Sequence, residues 1–210
     1  MIKRLFDVML AASGLLASSP LWLIIPAAIK VEDGGPVFFS QERVGLNGRV
    51  FRALKFRSMI PDAEAGSGPV QAPEHDPRIT RVGRLLRATA MDELPQLWNI
   101  LVGEMSVVGP RPLRPGEIDV ADDGRLVALG DIPGYDARHK VRPGLTGLAQ
   151  VYAPRDLRRA GKFRLDRLYL RNVGLCLDVK LVLLSFWITG RGGWDRRDRN
   201  RSQKDKRDSR

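Results

Sequence analysis

The amino-acid sequence predicts an α+β protein that is mostly helical, with an N-terminal membrane helix, a small β-hairpin and amphipathic helices at a membrane interface. Three observations lead to this prediction. The run from Val8 to Ile29 has no charged residue and is long enough to cross a bilayer core of about 30 Å as a helix. Asn47-Gly48 stands between two strand-prone runs, as is typical of a hairpin turn. Apolar residues recur at helical spacing in several later segments.

The apolar N-terminal run allows three interpretations. A signal peptide would explain Lys3-Arg4 before the run, but Pro20 stands where a cleaved junction should not have it. A straight spanning helix is opposed by Pro20 and Pro26, which remove two backbone donors. Basic residues near both ends favour both ends on the cytoplasmic side. These residues leave a spanning helix and a re-entrant helix open, and they favour a re-entrant helix broken near Ser19-Pro20.

The hairpin is the first element predicted after the apolar run. Its strands should lie within Pro36–Gly45 and Arg49–Arg57. A flexible loop is expected over residues 61–77, which are rich in Pro, Gly, Ala, Asp and Glu. Ile79 to Arg87 then predicts a helix whose apolar side chains fall on one face. The members of that face are Ile79, Val82, Leu85 and Leu86.

Two further helices are predicted around a region of turns. The first should begin near Asp92 and end at Gly103, with Pro95 tolerated in its first turn. Residues 109–147 hold many Gly and Pro residues, so irregular loops and turns are expected there. Asp156 to Asn172 predicts an amphipathic helix. Its apolar side is formed by Leu165, Leu168 and Tyr169.

The chain divides into three predicted regions: a membrane helix over 1–30, a catalytic domain with interfacial helices over 31–190, and a basic disordered tail over 191–210. Leu181 to Gly190, at the end of the second region, is too short to span a membrane. An interfacial helix fits this run because Lys180 precedes it and Trp187 lies within it, but a buried core helix stays open.

The charge of the chain predicts an anionic partner. The net charge is +11, and the tail contributes +5 of it through nine Lys/Arg and four Asp. Nucleic acid, a phospholipid surface and a phosphorylated small molecule would all fit this balance. Cys176 is the one cysteine, which excludes an internal disulfide framework and a four-cysteine zinc site.

Asp92-Glu93 is the most informative pair of residues in the sequence. At the predicted start of a helix, its carboxylates lie near the positive end of the dipole, where phosphate also binds. Helix capping by acidic residues is the plain alternative. Cations around the pair favour a phosphorylated substrate, because arginine at rigid positions suits bidentate phosphate recognition. These cations are Lys55, Arg57, Arg78, Arg81, Arg84, Arg87, Arg111 between Pro110 and Pro112, and Arg142 before Pro143.

Other chemistries lack the residues that they need. His75 and His139 are the only histidines, and their spacing does not suit a metal site. The sequence has neither a Walker loop nor a GxGxxG motif. A single-stranded nucleic-acid site would need exposed aromatic residues among the cations, yet most aromatic residues lie in apolar or hairpin segments.

The chain resembles the bacterial sugar transferases, also called monotopic phosphoglycosyl transferases, from the N-terminus to about residue 190. Six ordered motifs carry the resemblance. They are Phe39-Ser40-Gln41-Glu42-Arg43-Val44-Gly45, Lys55-Phe56-Arg57-Ser58-Met59, Asp76-Pro77-Arg78-Ile79-Thr80-Arg81-Val82-Gly83, Leu86-Arg87-Ala88-Thr89-Ala90-Met91-Asp92-Glu93-Leu94-Pro95-Gln96-Leu97, Met105-Ser106-Val107-Val108-Gly109-Pro110-Arg111-Pro112 and Arg142-Pro143-Gly144-Leu145-Thr146-Gly147.

The resemblance implies a small, minimal form of a monotopic enzyme of the bacterial inner membrane. Its re-entrant helix would break at Ser19-Pro20, and its active site would lie on the cytoplasmic face. Asp92 would attack the sugar-proximal phosphate of a UDP-sugar, release UMP and form a covalent phosphosugar-enzyme. Polyprenol phosphate would then accept the sugar phosphate, in the first membrane step of glycoconjugate synthesis. Mg²⁺ bound by Asp92 would offset phosphate charge.

The resemblance also assigns roles to other residues. Glu93 would assist the second step. Lys55, Arg57 and Arg87 are expected to bind phosphate or to orient the dyad. Pro110-Arg111-Pro112 would form part of the nucleotide and phosphate loop, and Asp166 would be a supporting acidic residue. Arg142 belongs to the expected substrate-binding set as a proline-fixed arginine.

Two questions stay open at this point. Where many members of the resembled family have a Gly-Arg-Asn type segment, this chain has Tyr152-Ala153-Pro154-Arg155, which would change the sugar preference if the segment contacts the sugar. The sequence also leaves open whether the chain acts alone or as a homodimer. A non-enzymatic basic membrane adaptor or nucleic-acid binder is the alternative function, although we expect no nucleic-acid partner.

Overall fold

The computed structural model describes residues 1–61, 63, 76–120, 124–154 and 157–190. Within this part of the chain the fold is α+β and mostly helical, with three two-stranded sheets, which confirms the predicted class. Most of the loop predicted over 61–77 and all of the basic tail over 191–210 lie outside the described residues.

The N-terminal apolar run forms two helices, α1 (Ile2–Ala17) and α2 (Leu21–Asp33), bent by 61° at the break between them. The predicted break is therefore present, next to Pro20. Ser18 is buried there and accepts a hydrogen bond from Trp22 Nε1 at 3.1 Å. Among the described residues no single helix is long and apolar enough to cross a membrane, and the bent pair passes this test only when both helices are counted together.

The predicted hairpin is confirmed. Strands β1 (Phe38–Val44) and β2 (Val50–Phe56) pair antiparallel, with Val44 opposite Val50. Asn47 and Gly48 have φ angles of 54° and 76°, the left-handed conformations that an Asn-Gly turn supplies at low cost. Strand β2 ends in Lys55 and Phe56, so the hairpin delivers Lys55 and then Arg57 to one edge of the molecule.

Helix α3 (Arg81–Ala88) confirms the helix predicted after Ile79. Thr80 caps it by accepting a hydrogen bond from Gly83 N at 2.9 Å. A second acceptor comes from α2, because Glu32 accepts from the backbone amides of Arg81 and Val82 at 2.6 and 3.1 Å. Leu85 is exposed rather than on the buried face, which is formed by Gly83 and Leu86.

The helix predicted from Asp92 begins later than expected. Residues Met91–Glu93 form a 3-10 turn, and α4 spans only Gln96–Val102 before Gly103 ends it at φ 91°. Pro95 has no N–H to donate to Met91, so the chain closes tighter bonds such as Leu94 N to Met91 O at 3.2 Å. The dyad therefore lies on a turn and not at a helix N-terminus, so the helix-dipole argument does not apply to it.

The region predicted as irregular contains short elements. Strands β3 (Ser106–Val108) and β6 (Gly144–Thr146) pair in parallel, whereas β4 (Ile118–Val120) and β5 (Leu126–Ala128) form a hairpin. Helix α5 (Tyr135–Arg138) lies between β5 and β6 in the sequence. Gly144 allows β6 to meet the end of β3, since a Cβ on it would lie 2.0 Å from Gly109 N.

Three helices complete the described chain: α6 (Leu148–Tyr152), α7 (Arg159–Arg171) and α8 (Leu175–Gly190). Helix α7 confirms the predicted amphipathic helix, but Phe163, Asp166 and Tyr169 form its buried face and Leu168 is exposed. Helix α8 begins six residues earlier than the predicted run. It has one buried face and one exposed face, so its burial fits a core helix in part, and the interfacial helix stays a prediction. The buried residues are Asp178, Leu181, Val182 and Ile188, and the exposed ones include Leu183, Phe186 and Trp187.

The main core joins α1, β2, α4, β3, α6, α7 and α8 around residues such as Ile100, Met105 and Leu181. A second cluster of Ile25, Ile29, Phe56 and Leu86 packs against Met91 and Leu94. The turn that carries the dyad thus rests on side chains from α2, β2 and α3. Met91 and Leu94, which flank the dyad in the sequence, anchor this turn to the cluster.

Candidate active site

Asp92 and Glu93 lie beside a cavity of 2340 Å³ that also contacts β2, α3 and α7. Lys55 Nζ is 2.6 Å from Glu93 Oε1 and 4.0 Å from Asp92 Oδ2. Arg111 Nη2 approaches the same Glu93 oxygen at 3.3 Å. Glu93 therefore contacts both cations. Asp92 is 9% exposed, and among the described residues no cationic side chain lies closer to its carboxylate than Lys55 at 4.0 Å.

The two carboxyls of the dyad have opposite pKa shifts. Burial raises the pKa of Asp92 to about 6, although Lys55 opposes the shift. Burial also acts on Glu93, but Lys55 and Arg111 outweigh it and hold the pKa of Glu93 well below its usual range. Glu93 is consequently ionised at all physiological pH values. Asp92 is ionised at neutral pH with a basicity higher than that of an ordinary aspartate.

The structure brings Asp166 into the same region through an arginine that sequence reasoning missed. Arg138 Nε and Nη2 both lie 3.0 Å from Asp166 Oδ2, and both side chains are buried. The guanidinium also stacks 4.6 Å above the ring of Phe163 and donates to the backbone oxygen of Arg111 at 2.7 Å. Asp166 thus acts on the Pro110–Pro112 segment through Arg138.

Arg57 is placed differently from a free phosphate ligand. Its guanidinium is 6% exposed and forms a two-pronged ion pair with Asp33, at the end of α2. It also donates to the backbone oxygens of Pro36 at 2.5 Å and Met59 at 3.3 Å. A Cβ at Gly35 would lie 2.8 Å from this guanidinium. These contacts make Arg57 the link between α2 and the end of β2.

Arg142 also has a structural contact. Its Nε donates to the backbone oxygen of Gly103 at 2.7 Å, at the C-terminal end of α4. Arg4 holds the neighbouring oxygens of Ile100 and Leu101 at 2.5 and 2.7 Å. The two arginines satisfy backbone acceptors that the helix end leaves free.

The cavity is lined by cationic side chains in one part and by apolar side chains in another. Arg87 lies on the exposed face of α3 and lines the cavity near the dyad, where its charge lowers the pKa of Asp92. Further cations line the wall beyond Arg111, and they are Arg114, Arg158, Arg159 and Lys162. A third part of the lining is apolar and comes from α1, α4 and α8, with Leu10, Gly14, Leu97, Val182 and Phe186. The space can therefore contact both an anionic and an apolar ligand.

Arg43 is a second arginine that sequence reasoning did not single out as a site residue. It lines the cavity and donates from Nη1 to the backbone oxygen of Pro112 at 3.1 Å. Burial lowers its pKa to about 10, so the side chain remains a cation at neutral pH. Its place within the motif Gln41-Glu42-Arg43-Val44-Gly45 was the available signal, but a motif position does not show what the side chain contacts.

The residues fit a magnesium ion that is shared with a substrate. Among the described residues there is no group of three or more His, Cys, Asp or Glu side chains that could hold a metal alone. Mg²⁺ is commonly held by one or two carboxylates together with substrate phosphates, so a full protein cage is not required. Asp92 is the carboxylate with free oxygens here, because Glu93 is engaged by Lys55 and Arg111.

The sequence of the chain matches a known protein family. The model of the family described as bacterial sugar transferase matches residues 1–192, and the chain belongs to it. Membership makes the chain an enzyme of the transferase class, which disfavours the adaptor hypothesis.

Individual relatives are similar over most of this chain. The exopolysaccharide production protein ExoY of Rhizobium meliloti (strain 1021) is 40% identical, over 87% of this chain and 82% of its own length. The undecaprenyl-phosphate glucose phosphotransferase of Komagataeibacter xylinus is 42% identical, over 87% of this chain and 35% of its own. A UDP-N-acetylgalactosamine-undecaprenyl-phosphate N-acetylgalactosaminephosphotransferase of Aeromonas hydrophila is 42% identical, over 86% and 42%. The chain thus spans most of the first relative and less than half of the other two.

Proposed function

We propose that this protein transfers a sugar-1-phosphate from a UDP-sugar to undecaprenyl phosphate through a covalent intermediate on Asp92. One observation carries the proposal: a buried aspartate without a short partner stands beside a glutamate that holds two cations. The names of the relatives from Komagataeibacter xylinus and Aeromonas hydrophila, which specify undecaprenyl phosphate and a sugar, support the substrate classes.

In the first step a carboxylate oxygen of Asp92 attacks the sugar-proximal phosphorus of the UDP-sugar. A bond forms between phosphorus and the carboxylate, and the bond between the two phosphates breaks, so UMP leaves with the electron pair. Arg111 and the cations beyond it on the cavity wall bind the diphosphate and balance the charge that develops on UMP. The raised pKa of Asp92 makes its ionised form a better nucleophile.

In the second step an oxygen of the lipid phosphate attacks the same phosphorus, and the Asp92 carboxylate leaves. The product is the polyprenol diphosphate sugar, and the enzyme returns to its starting state. Glu93 keeps Lys55 and Arg111 beside the reacting phosphate through contacts of 2.6 and 3.3 Å. One site can serve a soluble donor and a lipid acceptor in turn because the covalent step separates them.

Mg²⁺ would be held by Asp92 together with the substrate phosphates, and when bound it would offset part of their negative charge. The transfers themselves depend on the carboxylate of Asp92 and on the surrounding cations.

A membrane location on the cytoplasmic face of the bacterial inner membrane fits the same proposal. The bent pair α1 and α2 would enter the bilayer and return, with Pro20 at its deepest part. The apolar lining from α1 and α8 would then contact the prenyl chain, while the lipid phosphate would lie at headgroup depth. Exposed apolar side chains on these helices would face lipid, and they include Leu5, Met9, Leu23, Ile24 and Phe186.

The names of the relatives suggest two kinds of donor, a UDP-hexose and an N-acetylated UDP-sugar. The relative from Komagataeibacter xylinus is named for glucose, whereas the one from Aeromonas hydrophila is named for N-acetylgalactosamine. Their identities to this chain are equal, so the choice between a hexose and an N-acetylated sugar is made by experiment.

The experiment measures UMP release by the detergent-solubilised protein from a panel of UDP-sugars, with undecaprenyl phosphate and Mg²⁺ present. UDP-glucose, UDP-galactose, UDP-N-acetylglucosamine and UDP-N-acetylgalactosamine form the panel. The proposal predicts release by the wild type from at least one donor and none by Asp92→Asn. Absence of release from every donor by a well-folded wild type, or equal release by Asp92→Asn, would refute it.

A further inference from the structure

The segment from Pro110 to Leu113 has an unusual set of backbone contacts. Each of its four consecutive carbonyl oxygens accepts a hydrogen bond from outside the segment. The donors, in order along the segment, are Gly144 N at 2.9 Å, Arg138 Nη2 at 2.7 Å, Arg43 Nη1 at 3.1 Å and Val44 N at 2.9 Å. The outer two contacts are made by backbone and the inner two by arginine side chains.

The two arginines belong to two different elements of the fold. Arg138 belongs to α5 and is fixed by Asp166 on α7, while Arg43 belongs to β1. Arg43 is fixed in turn by a hydrogen bond from Nη2 to the side chain of Gln41. Their targets are the carbonyls of Arg111 and Pro112, so both clamp the backbone immediately around Arg111.

Arg111 needs such a clamp because its own side chain is 52% exposed. A long exposed arginine samples many rotamers, and holding it near Glu93 at 3.3 Å costs conformational entropy. Prolines on both sides restrict the backbone locally, but they cannot fix the segment relative to the dyad. Arg138 joins the segment to Asp166 on α7, and Arg43 joins it to β1, whose partner strand β2 carries Lys55 beside the dyad.

We propose that Arg138 and Arg43 are positioning residues that hold the backbone of Arg111 so that its guanidinium lies beside Glu93 and the reacting phosphate. This inference rests on the proposed transferase function. Neither arginine acts on the substrate in this role. Their effect on the reaction passes through the side chain of Arg111.

The test is a double-mutant cycle on UMP release. Arg138→Lys keeps a cation for Asp166, but one ammonium cannot reproduce the fork that contacts Asp166 and the Arg111 carbonyl together. We expect kcat to fall about 10- to 100-fold with a smaller change in KM for the UDP-sugar, the scale of a misplaced catalytic group. In an Arg111→Ala background, the same substitution should cause no further fall, because the side chain being positioned is gone.

A matched control is available in Arg4→Lys. Arg4 also donates to two backbone oxygens, those of Ile100 and Leu101, but these belong to α4 and not to the segment. Any effect of Arg4→Lys on kcat should be the same with and without the Arg111 side chain. If Arg138→Lys behaves in this additive way as well, Arg138 only supports the fold and the inference is overturned. Should Arg138→Lys fail to fold, Arg43→Lys enters the same cycle with the same expected result.

Hydrogen exchange separates this inference from the proposed function. Peptides covering residues 107–116 should exchange faster in Arg138→Lys than in the wild type, while peptides from α4 should not. If the wild type releases no UMP from any donor, the transferase proposal has failed, and unchanged exchange over 107–116 would then overturn the clamp separately.

Discussion

Two buried aspartates of this protein each face a lysine, and they differ in how completely they are satisfied. Asp178, on α8, is fully buried and accepts hydrogen bonds at both oxygens, from Lys3 Nζ at 2.6 Å and from the Tyr169 hydroxyl at 2.9 Å. Asp92 has Lys55 at 4.0 Å, and no shorter contact to its carboxylate is present among the described residues.

The difference fits a structural role for Asp178 and the nucleophilic role that we propose for Asp92. The contacts of Asp178 join α1, α7 and α8, and they leave its oxygens no freedom to bind anything else. The lysine beside Asp92 is turned toward Glu93 instead, at 2.6 Å, so Glu93 takes the contact that would have satisfied Asp92. A buried carboxylate without partners costs stability, which is typical of a group kept for chemistry.

The largest expected effect comes from Asp92→Asn. An amide cannot act as the nucleophile, so turnover should fall by about 10³-fold or more. The same change should raise stability, because the pKa of Asp92 lies above its usual value and its ionised form is therefore unfavourable in the fold. The gain at pH 7 is expected to be on the order of 1 kcal/mol. UMP release and thermal unfolding of the same preparation measure both effects, and a loss of stability would contradict the comparison.

Asp178→Asn is the matched substitution at the satisfied aspartate. It leaves Lys3 without its anionic partner, so the free energy of unfolding should fall by about 2–3 kcal/mol. Turnover of the folded fraction should stay within about threefold of the wild type, since Asp178 does not contact the cavity. Chemical denaturation and kcat measured below the unfolding transition test this. A folded Asp178→Asn protein that lost turnover would show that the two aspartates are not separate in function.

Local sequence signals predicted the parts of the fold that local chemistry determines. Asn47-Gly48 identified the hairpin because both residues adopt left-handed φ angles. Pro20 identified the helix break because proline has no backbone N–H to donate within a continuous helix. The dyad turn was mispredicted as a helix start because Pro95 is acceptable in a first helical turn, and only the structure shows that the chain forms tighter bonds before it.

The contacts of the site could not be predicted, because they join residues that are distant in the sequence. Arg57 was expected to bind phosphate or to orient the dyad, and its guanidinium pairs with Asp33, which lies 24 residues away in the sequence. Arg138 and Asp166 are 28 residues apart, and nothing in the local sequence pairs them. The identity of Asp92 and Glu93 as the central pair came from the motif, whereas their unequal partners became visible only in the folded chain.

The reaction rate and the stability difference of Asp92→Asn should both depend on pH, with a smaller effect than the substitutions above. The Asp92 carboxyl has a folded-state pKa raised to about 6, so the nucleophile becomes protonated as the pH falls through 6. The rate of covalent-intermediate formation should decrease about tenfold for each pH unit below that value. The stability advantage of Asp92→Asn should be fully present above pH 6 and should vanish below about pH 4, where the wild-type group is protonated in both folded and unfolded states. A stability difference independent of pH would contradict the shift.

The smallest expected effect is that of Tyr169→Phe. This change removes one hydrogen bond from Asp178 and leaves the contact with Lys3 intact. The free energy of unfolding should fall by about 1 kcal/mol, with turnover unchanged. Denaturant midpoints compared with those of Asp178→Asn give the measurement, and a loss as large as that of Asp178→Asn would mean that Lys3 contributes nothing.

A covalent intermediate on Asp92 can be detected by mass spectrometry. The wild-type protein, Asp92→Asn and Asp178→Asn are incubated with the active UDP-sugar and Mg²⁺ but without lipid, and intact masses and peptide maps are recorded. We expect a sugar-phosphate adduct on the peptide that contains Asp92 in the wild type and in Asp178→Asn, and none in Asp92→Asn. Adding undecaprenyl phosphate should remove the adduct. An adduct on a different residue, or turnover by a protein that never carries one, would contradict the role of Asp92 as the nucleophile.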